Sequence, residues 1–318
     1  MASAEAVLAV IEAAGAHVPP LMERLERRLT DLASEHGPVV AEHAVATIAA
    51  GGKRLRPLLV FLAAGPDAPE DSVLRAAAAV ELVHSATLVH DDVLDDAPLR
   101  RGRPTIYATA GREMATAIGD LLFAQAFADL ARNGRADEIA ELSAAATALA
   151  RGELLQREDA FRADVPRERY LRRCELKTGR LFEAACALGA LEGGADRDVL
   201  TAFGRRIGVA FQILDDVLDI SGPAERTGKA RGTDLLDGTV TLPAIIARER
   251  DPGIALQVAD AAAAEATCDA IAATGALDDA RAVALDLVAG AKAALPALPE
   301  GQQGALELVA DGVVDRYS

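Results

Sequence analysis

The sequence predicts an all-α protein, and three observations carry that expectation. Apolar residues recur at three- and four-residue spacing through nearly every segment, as in Leu21, Leu25, Leu29 and Leu32. Alternating β-branched runs bounded by turn residues are almost absent. Alanine, the strongest helix former, is abundant throughout. Breakers then divide the chain in order at Pro19 and Pro20, Gly37 and Pro38, Gly65 to Pro69, Gly102 to Pro104, Gly134, Gly193 and Gly194, Gly222 and Pro223, and Pro252. About ten helices follow from that punctuation. Two of them, roughly 71 to 95 and 197 to 219, read as apolar on most faces until their C-terminal turns, which assigns them to the middle of a bundle. No period of repetition is strong enough for a solenoid.

The chain has 318 residues, more than a usual single domain, yet no stretch reads as a linker and apolar residues make up 51%. One domain over residues 1–318 is expected. A formal net charge of -16 argues against nucleic acid or an anionic membrane as partner. Any bound anion must therefore meet a local cluster of Lys and Arg. Cys174, Cys186 and Cys268 form no CxxC pair and sit in Ala- and Leu-rich helical sequence, so they read as core thiols of a reducing compartment. The N-terminus carries Glu5 and Glu12 and lacks the basic start of a signal peptide. No uninterrupted apolar run is long enough to span a bilayer, so no transmembrane segment is expected and the location expected is the cytoplasm.

The first buried helix ends in His90-Asp91-Asp92-Val93-Leu94-Asp95-Asp96 and the second in Gln212-Ile213-Leu214-Asp215-Asp216-Val217-Leu218-Asp219. Both contain DDxxD. At 3.6 residues per turn Asp91 and Asp95 stand one above the other, as do Asp215 and Asp219. Stacked carboxylates at a helix C-terminus repel each other and face the negative end of the helix dipole, which costs stability unless cations compensate. Magnesium prefers oxygen ligands and commonly joins one or two carboxylates to substrate phosphates. No His or Cys stands at zinc-ligand spacing in either cluster. With 27 aspartates in the chain, a random sequence would hold on the order of 0.2 DDxxD matches. Two matches closing two apolar helices therefore speak against solvated acidic helix ends.

Cations alternate with these clusters. Gly51-Gly52-Lys53-Arg54-Leu55-Arg56-Pro57 sets three of them beside a glycine pair that lets backbone approach an anion. Arg100-Arg101-Gly102-Arg103-Pro104 offers guanidinium forks suited to diphosphate. Lys177-Thr178-Gly179-Arg180 and Gly228-Lys229-Ala230-Arg231-Gly232-Thr233-Asp234 follow. Each alone is compatible with a solvent-facing basic patch. His84 lies seven residues before Asp91 on nearly the same helix face, and it and His90 are each compatible with an ordinary core histidine.

From about Gly51 to Pro243 these segments, in this order, resemble the trans-type isoprenyl diphosphate synthases, also called polyprenyl synthetases. The matching pieces are GGKRLRP, ELVHSATLVHDDVLD from Glu81, LRRGRPT from Leu99, KTGRLFEAA from Lys177, FQILDDVLD from Phe211, and GKARGTDLLDGTVTLP from Gly228. The resemblance implies a helical bundle around a deep central cavity, and a homodimer. It implies that Lys53, Arg56, His84 and Arg101 bind the diphosphate of isopentenyl diphosphate. By the same likeness Asp91, Asp95 and Asp215 hold three magnesium ions on an allylic diphosphate, with Asp92, Asp216 and Asp219 in support. Arg100, Lys177, Gln212, Lys229 and, more weakly, Thr178 are implied contacts of that allylic diphosphate. The chain departs from the pattern at Thr239, where many members have lysine; the missing cation either loosens allylic binding or is offset by Lys229 or Arg231.

The implied chemistry is condensation of isopentenyl diphosphate with an allylic diphosphate to a linear polyprenyl diphosphate. Clustered cations stabilise the departing diphosphate, the allylic carbocation meets the donor double bond in a dry cavity, and the released diphosphate takes up the proton. A class I terpene cyclase needs no second diphosphate site and usually carries an Asn/Ser/Glu second metal motif. An inactive regulatory subunit would lack ligands. In family members that stop at short products an aromatic residue stands four or five positions before the first aspartate. Here those positions hold Thr87 and Ala86, with Val83 a turn deeper; small residues there also suit tight helix packing, and with the resemblance they favour products beyond four isoprene units, with farnesyl or geranylgeranyl length the alternative. Leu142 is a candidate floor, and Phe123 or Phe127 could close the cavity sooner.

Overall fold

The computed structural model describes residues 9–10, 12–50, 52–100, 102–222 and 231–315. α1 (Val18–Ser34) opens on Pro19 and Pro20, whose missing N–H groups cost nothing in a first turn. Leu21, Leu25, Leu29 and Leu32 form its buried side, as their spacing predicts. α2 (Pro38–Ala49) starts at the Gly37-Pro38 break, and α3 (Leu55–Ala64) is buried along most of its length. α4 (Glu70–Leu94) begins with Glu70 and Asp71, which suit the positive end of the dipole, and then buries most residues from Val73 to Val93. A short antiparallel hairpin, β1 (Leu99–Arg100) and β2 (Arg103–Pro104), leads into α5 (Ile106–Leu130). Thr105 caps α5 by accepting from the Ala108 amide at 3.1 Å.

α6 (Ala136–Asp159) and α7 (Arg167–Cys174) follow, and a π turn over Glu175–Gly179 joins α7 to α8 (Arg180–Gly193). α9 (Arg197–Ser221) carries the second aspartate cluster. The remainder is α10 (Thr233–Leu236), α11 (Leu242–Arg250), α12 (Ala261–Ala273), α13 (Ala276–Ala293) and α14 (Glu300–Asp315). The chain also breaks at 160–166, 237–241 and 274–275, which the sequence punctuation did not announce.

At the centre, α4 packs against α3, α5 and α8, while α8 packs against α3, α6 and α9. Gly189 permits close approach of α8 to α3, since a Cβ there would stand 2.3 Å from the Val60 carbonyl. α4 is the central helix its composition predicts. α9 differs: its inward side holds Phe203, Ile207, Ile213 and Val217, whereas Arg205 lies half in solvent and Arg206 donates to the Gly290 carbonyl at 2.5 Å. It is amphipathic rather than apolar on most faces.

The expectation about membrane-length segments also needs correction. Glu70–Leu94 and Ile106–Asn133 are each long and apolar enough to cross a bilayer by length and composition. A criterion of uninterrupted apolar runs passes over them because each carries scattered charges. The best window of the first is 72% buried inside the bundle, as a core helix requires, and that of the second 39%.

Candidate active site

The π turn stands between the two aspartate clusters. Lys177 bonds the Glu153 carboxylate of α6 and lies 3.3 Å from Gln156 Oε1, and its charge acts on Asp91 at the end of α4. The next residue faces the other way: Thr178 Oγ1 donates to Gln212 Oε1 at 2.7 Å, and Gln212 Nε2 donates to Asp216 Oδ1 at 2.7 Å. A π turn inserts an extra residue per turn, which allows two adjacent side chains to serve two helices; such bulges recur at functional sites. Gly152 makes room for it, since a Cβ there would stand 2.6 Å from the Lys177 amide nitrogen.

Around the first cluster, the hairpin turns the chain back so that Arg100 Nε donates to Asp92 Oδ1 at 2.7 Å. Asp95 caps α4 and its carboxylate accepts from Arg157 of α6 at 2.5 Å, while Arg157 Nε donates to Glu153 at 2.7 Å. Burial, with Glu153 and Asp95 adding to it and Lys177 and Arg100 opposing it, pushes the Asp91 carboxyl up to about 6.

In the second cluster Asp216 is buried and accepts from the Tyr170 hydroxyl at 2.7 Å as well as from Gln212. Burial drives its carboxyl well above the ordinary range against these bonds and the nearby Arg173 charge. Asp215 and Asp219 are half-buried one turn apart on α9, and Asp219 Oδ2 accepts from the Asp234 amide at 3.2 Å. Arg231 donates to Asp269 at 2.6 Å and to the carbonyl of Ile220, the residue after Asp219. Thr239 donates its amide to the Asp234 carbonyl at 2.7 Å.

The donor-side residues lie where α3 meets α4. Arg54 is buried in the left-handed region at φ 49°, bonding Glu81 at 2.6 Å, Glu26 at 2.7 Å and the Ile48 carbonyl at 2.7 Å. That anchor leaves Lys53 exposed and sets the half-buried Arg56 guanidinium 4.5 Å over the Phe182 ring. His84, half-buried, stands one turn beyond Glu81 on α4. His90 belongs elsewhere, packed on Gly119 of α5 and 3.2 Å from Asp120. Gly51, Arg101 and Lys229 lie outside the described residues. Val83 and Ala86 are fully buried below Asp91, Thr87 Oγ1 donates to the His84 carbonyl at 2.8 Å, and Leu142 is fully buried on α6.

Glu153, Gln156, Arg157, Tyr170 and Arg173 were missed from sequence. A signal existed for the first three: after Gly152 they form one polar stripe at helical spacing on an otherwise Ala- and Leu-rich helix. No comparable signal marks Tyr170.

The residues suit divalent cations. One carboxyl in each cluster, Asp91 in the first and Asp216 in the second, is pushed by burial toward the neutral form and regains charge when a cation arrives. Among the described residues no three His, Cys, Asp or Glu side chains converge on one metal-sized point.

The all-α bundle thus sets lysine and arginine side chains beside two DDxxD helix ends. The polyprenyl synthetase family profile matches residues 38–274. Heptaprenyl diphosphate synthase component 2 of Geobacillus stearothermophilus is 44% identical over 229 residues, covering 71% of this chain and 70% of that one. Geranylgeranyl diphosphate synthase of Methanosarcina mazei is 41% identical over 218 residues, covering 66% and 67%. The crystal structure of a Caulobacter crescentus polyprenyl synthase complexed with calcium and isoprenyl diphosphate superposes with a TM-score of 0.89 at 34% identity, covering 99% of this chain and 98% of that one. The chain belongs to the polyprenyl synthetase family and is an enzyme that makes prenyl diphosphates.

Proposed function

We propose that this chain, as one domain over 1–318, condenses isopentenyl diphosphate with an allylic diphosphate to a linear polyprenyl diphosphate longer than four isoprene units. The observation that carries the proposal is the π turn, which aims Lys177 at the first aspartate cluster and Thr178, through Gln212, at the second. Asp91, Asp95 and Asp215 would hold three magnesium ions, with Asp92, Asp216 and Asp219 positioned behind them. Bound cations supply charge stabilisation to the departing diphosphate. Lys177, Arg100, Gln212, Thr178 and Lys229 bind and orient that diphosphate. Lys53, Arg56, His84 and Arg101 hold the donor, with Arg56 kept in place by the Phe182 ring. The buried residues Val83 and Ala86 exclude water from the side of α4 along which the tail grows. The heptaprenyl activity named for the Geobacillus relative supports a long product; the geranylgeranyl activity of the Methanosarcina relative marks the alternative.

The protein is cytoplasmic on this reading, which the three free, buried cysteines support. It acts as a homodimer. The designation component 2 of the Geobacillus relative favours a second reading, in which a different subunit completes the enzyme. The mass of the purified protein in solution and its activity alone decide between them. Incubation with labelled isopentenyl diphosphate and a short allylic diphosphate tests the reaction: elongation supports it, while cyclised product or no product overturns it. Asp91→Ala and Asp215→Ala should nearly abolish turnover with helix content unchanged, and activity within a few-fold of the parent would refute the metal assignment.

A further inference from the structure

We propose a second anion site, for a diphosphate-bearing ligand, on the back of the π turn. An open groove of 530 Å³ lies there between α6, α7 and α8. Its floor is a stripe of small side chains, Ala140, Ala144 and Ala148, spaced one turn apart on α6. Its rim is Arg151 of α6, Arg172 of α7 and Arg180 of α8. None of the described residues lining it is acidic. That is unusual for a chain with 49 acidic and 33 basic residues, where guanidiniums ordinarily meet carboxylates. A comparable groove of 400 Å³ beside α1 shows the contrast: its four arginines are interleaved with Asp31, Glu35 and Asp71.

The three guanidiniums are available to different degrees. Arg151 is exposed and has no ion-pair partner among the described residues. Arg172 and Arg180 reach sideways to Glu175 at 2.8 Å and Glu183 at 2.7 Å, each along its own helical turn, and the Arg172 side chain is still 51% exposed. The Arg172 pair is exposed on the arginine side and yields to a better acceptor, whereas the Arg180 pair, at 29% and 15% exposure, is half-buried and fixes that edge of the groove. Arg205, near both Glu175 and Glu183, remains to neutralise them. A compact, multiply charged anion can take bidentate bonds from several planar guanidiniums at once. The alanine floor leaves room for an apolar body beside the head. Leu176 forms part of the wall, one residue before Lys177, so this site and the aspartate-flanked site share one turn of backbone but open on opposite sides.

Calorimetric titration of the full chain with inorganic diphosphate, in EDTA, tests the proposal without turnover; the event at the donor cations rests on the prenyltransferase reading, and the event in the groove does not. Two binding events are expected, one at the donor cations and one in the groove. Arg151→Gln with Arg172→Gln should remove one and leave the other, with unchanged circular dichroism. Arg151→Gln alone should weaken that event about tenfold, the effect of one charged hydrogen bond. Lys53→Gln with Arg56→Gln should remove the complementary event and leave the groove intact. A double groove variant that binds like the parent, or loss of all binding in the Lys53 and Arg56 variant, overturns the proposal.

Discussion

Arg157 Nη2 lies 2.5 Å from Asp95 Oδ1, so an arginine from α6 holds a carboxylate that the proposed metal site would use. Both side chains are roughly two-fifths exposed, at 43% and 38%, which limits their pair to about 1 kcal/mol. Arg157→Gln should therefore lower the half-saturating magnesium concentration by up to about fivefold, since 1 kcal/mol is that factor in affinity. Activity measured against a magnesium series checks this. A rise in the magnesium requirement would make Arg157 a phosphate ligand instead of a competitor.

Gly152→Ala tests the π turn. The new methyl would stand 2.6 Å from the Lys177 nitrogen and 2.9 Å from its Cα, and backbone on that side cannot swing away as a side chain would. Overpacking of this kind costs about 1–3 kcal/mol. Displacing Lys177 from Glu153 and Asp91 should lower turnover by roughly tenfold to hundredfold. Parallel measurement of melting temperature and kcat separates the two effects, and unchanged kcat would show that the position of Lys177 is not critical.

Ala86→Phe tests the direction of the growing tail. Ala86 is fully buried one and a half turns before Asp91, with Val83 a further turn down. Each helical turn rises about 5.4 Å, close to one isoprene unit. The ring should shorten products to the shortest chain lengths while leaving the carboxylates free to act. Chromatography of the products gives the answer; an unchanged ladder would show that the tail runs elsewhere.

The far end of the bundle should make stability depend on pH. Glu138 of α6 is fully buried beside Glu192 of α8, with Asn133 Nδ2 donating to it at 2.8 Å and Arg135 3.6 Å from Glu192. Burial, reinforced by the neighbouring Glu192, pushes Glu138 up to about 8. The folded chain thus keeps a proton that the unfolded chain loses near the ordinary glutamate value. Its stabilising effect is complete below that value and is lost as pH rises through about 8. Glu138→Gln preserves a donor toward Glu192 and should flatten the melting temperature between about pH 5 and 8. A parent melting temperature that does not fall over that range would rule out the retained proton.

Much of this protein was legible before any coordinates. The leucine spacing of α1, the alanine-rich centre of α4 and both DDxxD helix ends are local features, written in a 3.6-residue period that one strand of text carries completely. Local text also identified the cation-rich segments, but not which cation points where. Lys53, Arg54 and Arg56 look alike in sequence; the buried Glu81, 27 residues on, draws Arg54 inward, whereas Lys53 is exposed and Arg56 stacks on Phe182. Glu153, Arg157 and Tyr170 reach the aspartates from 46 to 62 residues away, where no spacing rule operates. The π turn depends on how closely α6 can approach at Gly152, a matter of packing. Sequence by itself determined the helices and the chemistry of their ends, because helix period and residue charge are local properties. Only tertiary structure decided which carboxylate each cation meets, because that follows from how separate helices pack and which charges they bury together.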